Sequence, residues 1–327
     1  MLKRICGILR WLAPIFPVLC ASAALAANVD LVAPWGDFAL VDPTVAPPSA
    51  ANGDIPTAPA APRTYGATGP GARWQIAQWN IPGPRLSPFQ ARGEGGYEAR
   101  TAEATVRVGQ GPSGRQVSLS QRGASLPCLG FNRPRESDLF IQPIKDEQGL
   151  GRTGLTPAAA HMPLTRMRRL MVIATVSASG GPSPVQKGCQ ASRGSGMIAV
   201  SLTNRASGQT FFYQLVINQV CSPENRGGYP DCMPWLHKPS YWSRKNPFGV
   251  ADTLPLLGRP YLRDGETRDL RLDILPRLKR FIEQGPPGID TNLGDWQFGG
   301  AYIGQHIFGD VDLTTTWAGY RLVAVTD

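Results

Sequence analysis

Eleven short runs rich in β-branched and aromatic residues fill most of this 327-residue chain, and they leave little room for helices. In order they are RWQIAQW, EATVRV, RQVSLSQ, SDLFIQPI, RRLMVIATVSA, GMIAVSLTN, TFFYQLVINQV, RDLRLDIL, WQFGGAYIG, VDLTTTW and YRLVAVT, separated by Gly, Pro, Ser and Asn. Several alternate with a period of two. In RDLRLDIL, Leu270, Leu272 and Ile274 face one way and charged residues the other. The pattern predicts an all-β fold, a β-sandwich or jelly roll, over residues 73–327, with no internal repeat. One helix is expected, in PRLKRFIEQG. Pro276 suits its first position, Leu278, Phe281 and Ile282 make a narrow apolar stripe, and Gly285 ends it. A helix of that kind is expected to pack outside the sheets.

The first 26 residues read differently. Lys3, Arg4 and Arg10 precede an apolar run from Trp11 to Leu19, and small residues follow at Ala24 to Ala26. This is the pattern of a signal peptide cleaved before Ala27, so the protein is expected to be secreted or periplasmic. The run is too short and too proline-rich for a membrane span, none is expected in the mature chain, and Leu19 before Cys20 argues against a lipid anchor. Without this leader the chain keeps 30 Lys+Arg against 24 Asp+Glu, a net charge of +6. The charges are scattered, and no nucleic-acid partner is expected. Residues 27–72 read as a Pro/Ala-rich arm or linker, with seven prolines between 43 and 70.

Four cysteines remain, Cys128, Cys189, Cys221 and Cys232, an even number that in an exported chain suggests two disulfides. The turn-rich loop CSPENRGGYPDC favours Cys221 with Cys232, which leaves Cys128 for Cys189. No cofactor or metal is expected. There is no C-x-x-C pair, and His161, His237 and His306 are far apart in the sequence. Nor is there a G-x-S-x-G elbow, a P-loop or a dinucleotide fingerprint. Two pairs of carboxylates, Glu136 with Asp138 and Asp310 with Asp312, could serve a hydrolase of unfamiliar design. Asp310 and Asp312 alternate with apolar residues and read more simply as a solvated strand face.

The order of parts in residues 209–325 carries a resemblance. TFFYQLVI is followed by a long aromatic loop, a strand, a single helix and then DWQFGGAYIGQHIFGD. This resembles the second half of the jelly-roll glycoside hydrolases of family 12 and their clan. There a strand of the type Y-E-L-M-I carries the nucleophile, and a strand with G-x-E carries the acid/base. The matching stretches here are Tyr213-Gln214-Leu215-Val216-Ile217 and Gly304-Gln305-His306-Ile307-Phe308-Gly309. The departures bear on function, because Gln214 and His306 replace both carboxylates, and a retaining glycosidase needs two of them. The resemblance therefore implies a carbohydrate-binding sandwich without the usual retaining chemistry, with a polysaccharide or glycan as partner. Gln214, His306, Tyr302, Trp235, Tyr241 and Trp242 are its candidate ligand contacts, and no residue is assigned a catalytic role. Gln214 and His306 are expected within reach of one bound sugar, while Trp296 and Trp317 read as core. Two other readings are an active polysaccharide-degrading enzyme with relocated carboxylates and a non-enzymatic envelope or interaction protein.

Overall fold

A computed structural model describes residues 27–36, 38–41, 64–66, 72–80, 86–87, 89–129, 133–144, 154–159, 161–221, 239–254 and 262–326. The first strands are β1 (Ala27–Asp30), β2 (Phe38–Val41), β3 (Thr64–Gly66), β4 (Trp74–Trp79), β5 (Gln90–Arg92), β6 (Gly96–Arg100), β7 (Ala104–Gly111) and β8 (Gly114–Arg122). Then come β9 (Cys128–Leu129), β10 (Arg133–Pro134), β11 (Glu136–Pro143), β12 (Met167–Pro182), β13 (Arg193–Asn204) and β14 (Thr210–Cys221). The chain ends with β15 (Ser240–Ser243), β16 (Phe248–Asp252), β17 (Glu266–Asp273), α1 (Leu275–Glu283), β18 (Trp296–Phe308) and β19 (Val311–Thr326).

These strands build two large sheets, with β9 and β10 paired separately as a two-stranded one. One runs β17-β12-β19-β8-β7-β6-β5, with β1 added beside β19. The other has nine strands in the order β15-β16-β14-β13-β18-β11-β4-β2-β3. Pairing is antiparallel except where β14 meets β16 and β2 meets β4. Alternate residues of both sheets point inward, and Ile76, Leu139, Val200, Phe211 and Ile303 join Val117, Leu119, Val176, Trp317 and Leu322 in one core. Each such side chain contributes roughly 1.5–3 kcal/mol by leaving water. Trp296 and Trp317 are fully buried. The chain is an all-β sandwich of jelly-roll type with one short α-helix among the described residues.

The helix begins where Asp273 accepts hydrogen bonds from the N–H groups of Leu275 (3.1 Å) and Leu170 (3.0 Å). Its stripe, Leu275, Leu278 and Ile282, is buried in the main core. Arg277 Nε donates to the buried Asp252 carboxylate at 2.6 Å, and the Tyr213 hydroxyl donates to the same group at 2.7 Å. This ties α1 to β14 and β16.

Two expectations need correction. Residues 27–41 are not part of an arm. Ala27–Asp30 pairs with Val323–Thr326, and Phe38–Val41 carries a further strand of the nine-stranded sheet. Leu31, Val32 and Phe38 are buried, and the Trp35 ring meets Phe38 at 4.7 Å and Trp74 at 5.2 Å. The dense prolines start only at Pro43, and the stretch before them holds enough apolar surface to dock. Asp310 and Asp312 are likewise not a solvated face. Asp310 is 1% exposed and accepts from the N–H groups of Lys187 (2.9 Å) and Cys189 (2.8 Å), with Lys187 Nζ at 2.8 Å. Burial alone would raise its carboxyl, but Lys187 and those two N–H groups outweigh burial and hold it below the ordinary range. Asp312 accepts from Gly123 N at 2.9 Å. This knot surrounds the Cys128–Cys189 disulfide, whose Cα atoms are 5.5 Å apart. Cys221 is buried at the end of β14, and Cys232 lies outside the described residues.

Candidate functional site

The stretch AYIGQHIF splits between the two faces of β18. Ile303, Gln305 and Ile307 are buried, whereas Tyr302, His306 and Phe308 are half-buried on the opposite face, the one turned away from the other sheet. Gly304 lies between them at φ +150°, and a Cβ there would collide with the Leu139 carbonyl and the Phe140 backbone. That glycine lets Phe140 of β11 come close enough to meet the Tyr302 ring edge-on at 4.9 Å.

Inward-facing Gln305 is fully occupied. Its Nε2 donates to Gln121 Oε1 (3.1 Å) and the Leu313 carbonyl (2.9 Å), and its Oε1 accepts from Thr315 Oγ1 (2.8 Å). Gln121 in turn donates to the carbonyl and hydroxyl of Ser137, and Trp317 Nε1 donates to Thr315 Oγ1. This polar chain crosses the gap between the sheets and fixes which side of β18 faces out.

On the outward face, strand pairing lines up two groups. Gln214 of β14 and Tyr302 of β18 both sit opposite Ala199 of β13, and Gln214 Nε2 donates to Tyr302 Oη at 2.6 Å. Burial pushes the Tyr302 phenol well above its ordinary range, so it stays protonated. Farther along, His306 sits between Ser195 of β13 and Asp138 of β11, while Phe308 pairs with Glu136. His306 meets Phe308 edge-on at 4.9 Å, and the Arg193 guanidinium lies 4.1 Å from the Phe308 ring centre.

The second group is an acid–imidazole cluster. His306 Nδ1 stands 3.9 Å from Glu136 Oε1 and 4.0 Å from Asp138 Oδ1. Burial, helped by Arg193, pushes the His306 ring down to about 3, although 21% of the side chain remains exposed. The ring is therefore neutral, and these separations are contacts and not ion pairs. Asp138 is raised well above the usual carboxylate range, chiefly by burial and then by the neighbouring Glu136, with Asn80 opposing. Glu136 is raised too, by burial against the pull of Arg193. The cluster thus sets two carboxyls shifted toward their neutral forms beside a neutral imidazole.

The six candidate contacts fare differently. Gln214 and Tyr302 meet directly. Gln214 and His306 share the face but do not meet, since His306 lies four residues beyond Tyr302, about 13 Å along the strand. One sugar unit cannot bridge that gap. Trp242 is 50% exposed, stacks near Phe212 at 6.2 Å and lies against Gly249, where a Cβ would collide with the indole. Tyr241, its neighbour in β15, turns the other way, and its hydroxyl donates to the Phe281 carbonyl of α1 at 2.6 Å. Adjacent strand residues point to opposite faces, so both could not line one groove. Trp235 lies outside the described residues. Phe140, Asn80 and Arg193 were not singled out from the sequence. The E-S-D spacing of Glu136 and Asp138 was the available signal, because residues two apart on a strand share a face.

No family profile and no curated protein matches the chain. Among solved structures it is similar to a family 12 xyloglucanase from Bacillus licheniformis, at 8% identity and TM-score 0.38 over 76% of this chain and 100% of that one. The family GH12 endoglucanase 3 of Trichoderma harzianum matches at 8% identity and TM-score 0.37, over 77% and 98% of the two chains. A cellulase derived from Cel12A of Rhodothermus marinus matches at 10% identity and TM-score 0.38, over 77% and 100%. The likeness is to jelly-roll glycoside hydrolases and is one of outline.

Proposed function

We propose that this protein is an exported carbohydrate-binding sandwich that holds a glycan on the outward face of its nine-stranded sheet without cleaving it by the retaining route. The observation that carries this reading is the Gln214–Tyr302 hydrogen bond, set among Phe140, Phe212 and Trp242 on one face. A fixed amide and phenol supply directional polar contacts, and aromatic faces suit the apolar faces of sugar rings. Retaining hydrolysis needs two carboxyl groups about 5 Å apart, flanking the anomeric carbon. Glu136 and Asp138 instead interact with each other from one strand, which leaves no space for a sugar between them. The leader pattern and the Cys128–Cys189 disulfide support export. Among the described residues no helix is long and apolar enough to cross a membrane.

A second reading draws on the acid–imidazole cluster. A carboxyl shifted toward its protonated form next to a neutral histidine sets an acid beside a base, as a hydrolase with relocated groups would require. A glycan array and a reducing-sugar assay on one sample separate the two. The expected result is binding without release, weakened at least tenfold by Tyr302→Ala and unchanged by Tyr241→Phe, whose hydroxyl faces the helix. Release of sugar that disappears in Asp138→Asn would instead favour the hydrolase. Neither binding nor release would sink both.

A further inference from the structure

We propose that Glu136, Asp138 and His306 together form a binding site for a zinc-type divalent cation. The three potential ligand atoms, two carboxylate oxygens and an imidazole nitrogen, all lie within 4.8 Å of one another. The ligands of a tetrahedral zinc, each about 2.0–2.2 Å from the ion, are about 3.4 Å apart. His306 Nδ1 lies 3.9 Å from Glu136 and 4.0 Å from Asp138, so closing on an ion needs movements of about half an ångström. The backbone holds these positions firmly. Asp138 is the direct ladder partner of His306, and Glu136 is two residues away on the same face of β11.

Two further features point to a ligand rather than to a polar cluster complete in itself. Asn80 Nδ2 donates to Asp138 Oδ2 at 2.6 Å, while the other oxygen, Oδ1, is the one nearest His306. A hydrogen bond to the far oxygen of a carboxylate is the usual way a ligand is oriented for a metal. His306 also has no hydrogen bond to either ring nitrogen among the described residues, and its ring meets Phe308 edge-on. Glu136 is 39% exposed, which gives an ion a way in. Arg193 is the opposing charge near Glu136, and it weakens the attraction of the site for a cation. The nitrogen ligand disfavours Mg2+ and Ca2+, which prefer all-oxygen sets.

Isothermal titration of chelator-treated mature protein with Zn2+, in the absence of any glycan, tests the site separately from the carbohydrate reading. One equivalent is expected to bind, with Mg2+ and Ca2+ giving no comparable signal. His306→Ala and Glu136→Gln should each weaken uptake at least tenfold, with unfolding midpoints recorded for both. Glu136 is partly exposed, so its variant tests the site even where His306→Ala unfolds. Absence of Zn2+ uptake, or uptake undiminished in a folded variant, overturns the proposal.

Discussion

Ser137 and Asp138 are neighbours on β11, as Gln305 and His306 are on β18, yet each pair divides between two unlike polar regions. Ser137 and Gln305 face inward, to a chain in which each amide has found its partners between the sheets. Asp138 and His306 face outward, to a cluster whose imidazole has no hydrogen bond among the described residues and whose carboxyls are driven toward their neutral forms. A satisfied buried network specifies structure. A cluster that holds ionisable groups close together at an energetic cost, on a half-open face, has the character of a functional site.

The inner region should give the largest response. Gln305→Leu removes the partner of Gln121 Oε1, of the Leu313 carbonyl and of the Thr315 hydroxyl in one step. Unsatisfied buried groups cost about 1–3 kcal/mol each, so a loss of at least about 3 kcal/mol is expected in denaturant unfolding. A loss under about 1 kcal/mol would show that the chain between the sheets is dispensable, and the contrast with the outer cluster would fail.

The outer cluster should respond to pH instead. His306 is held down to about 3, below its ordinary value near 6.5, so the unfolded chain takes up a proton that the folded one refuses. Stability attributable to this residue is intact above pH 6.5 and is lost as pH falls toward 3. Replacing the ring by an uncharged side chain, His306→Gln, should therefore stabilise the protein by about 2 kcal/mol at pH 5 and leave it nearly unchanged at pH 8. Equal effects at both pH values would mean that the ring takes up its proton in the fold as it does in the unfolded chain.

The architecture was more legible than the site because period-two alternation reports burial directly. RDLRLDIL, GMIAVSLTN and VDLTTTW became strands of the two sheets, and PRLKRFIEQG gave α1 with Leu278 and Ile282 buried as expected, joined by Leu275 while Phe281 is only partly buried. Tyr302, His306 and Phe308 also share a face, as their spacing requires. Alternation does not give register, however. Gln214 meets Tyr302 rather than His306 because both lie opposite Ala199, a pairing that depends on how β13 is seated between its neighbours. The same limit hid the acid–imidazole cluster. His306 is isolated in the sequence, but 168 positions separate it from the Asp138 it directly faces across one ladder. The early segment was misread for another reason, since Trp35 and Phe38 stand just before the proline run and belong to the packed side.

A third effect on the protein was exposure of an aromatic. Trp242 rests on Gly249 with half of its surface open and contributes little to the core. Trp242→Ala should reduce glycan retention several-fold on affinity electrophoresis while shifting the unfolding free energy by less than about 1 kcal/mol. A large loss of stability with retention intact would make it a packing residue and remove it from the binding face.

The remaining effect belongs to Asp138 and has the opposite pH sense to that of His306. Its carboxyl is raised above the ordinary value near 3.9 by burial and by Glu136, so the fold favours the protonated form. The stability this provides is present below the ordinary value and is lost as pH climbs through the raised one. Asn has the shape of the protonated acid. In Asp138→Asn the side-chain oxygen can still accept from Asn80, and the amide can donate to Glu136. In metal-free protein the variant should match the native chain near pH 4 and exceed it by about 1 kcal/mol at pH 8, where the native carboxyl is pressed to ionise. The gain is modest because the Asn80 hydrogen bond already relieves part of the strain on the ionised form. Thermal unfolding at the two pH values measures it. A variant less stable than the native protein at pH 8 would mean that Asp138 is held ionised, and the distinction between a settled interior and a strained outer cluster would then rest on His306 alone.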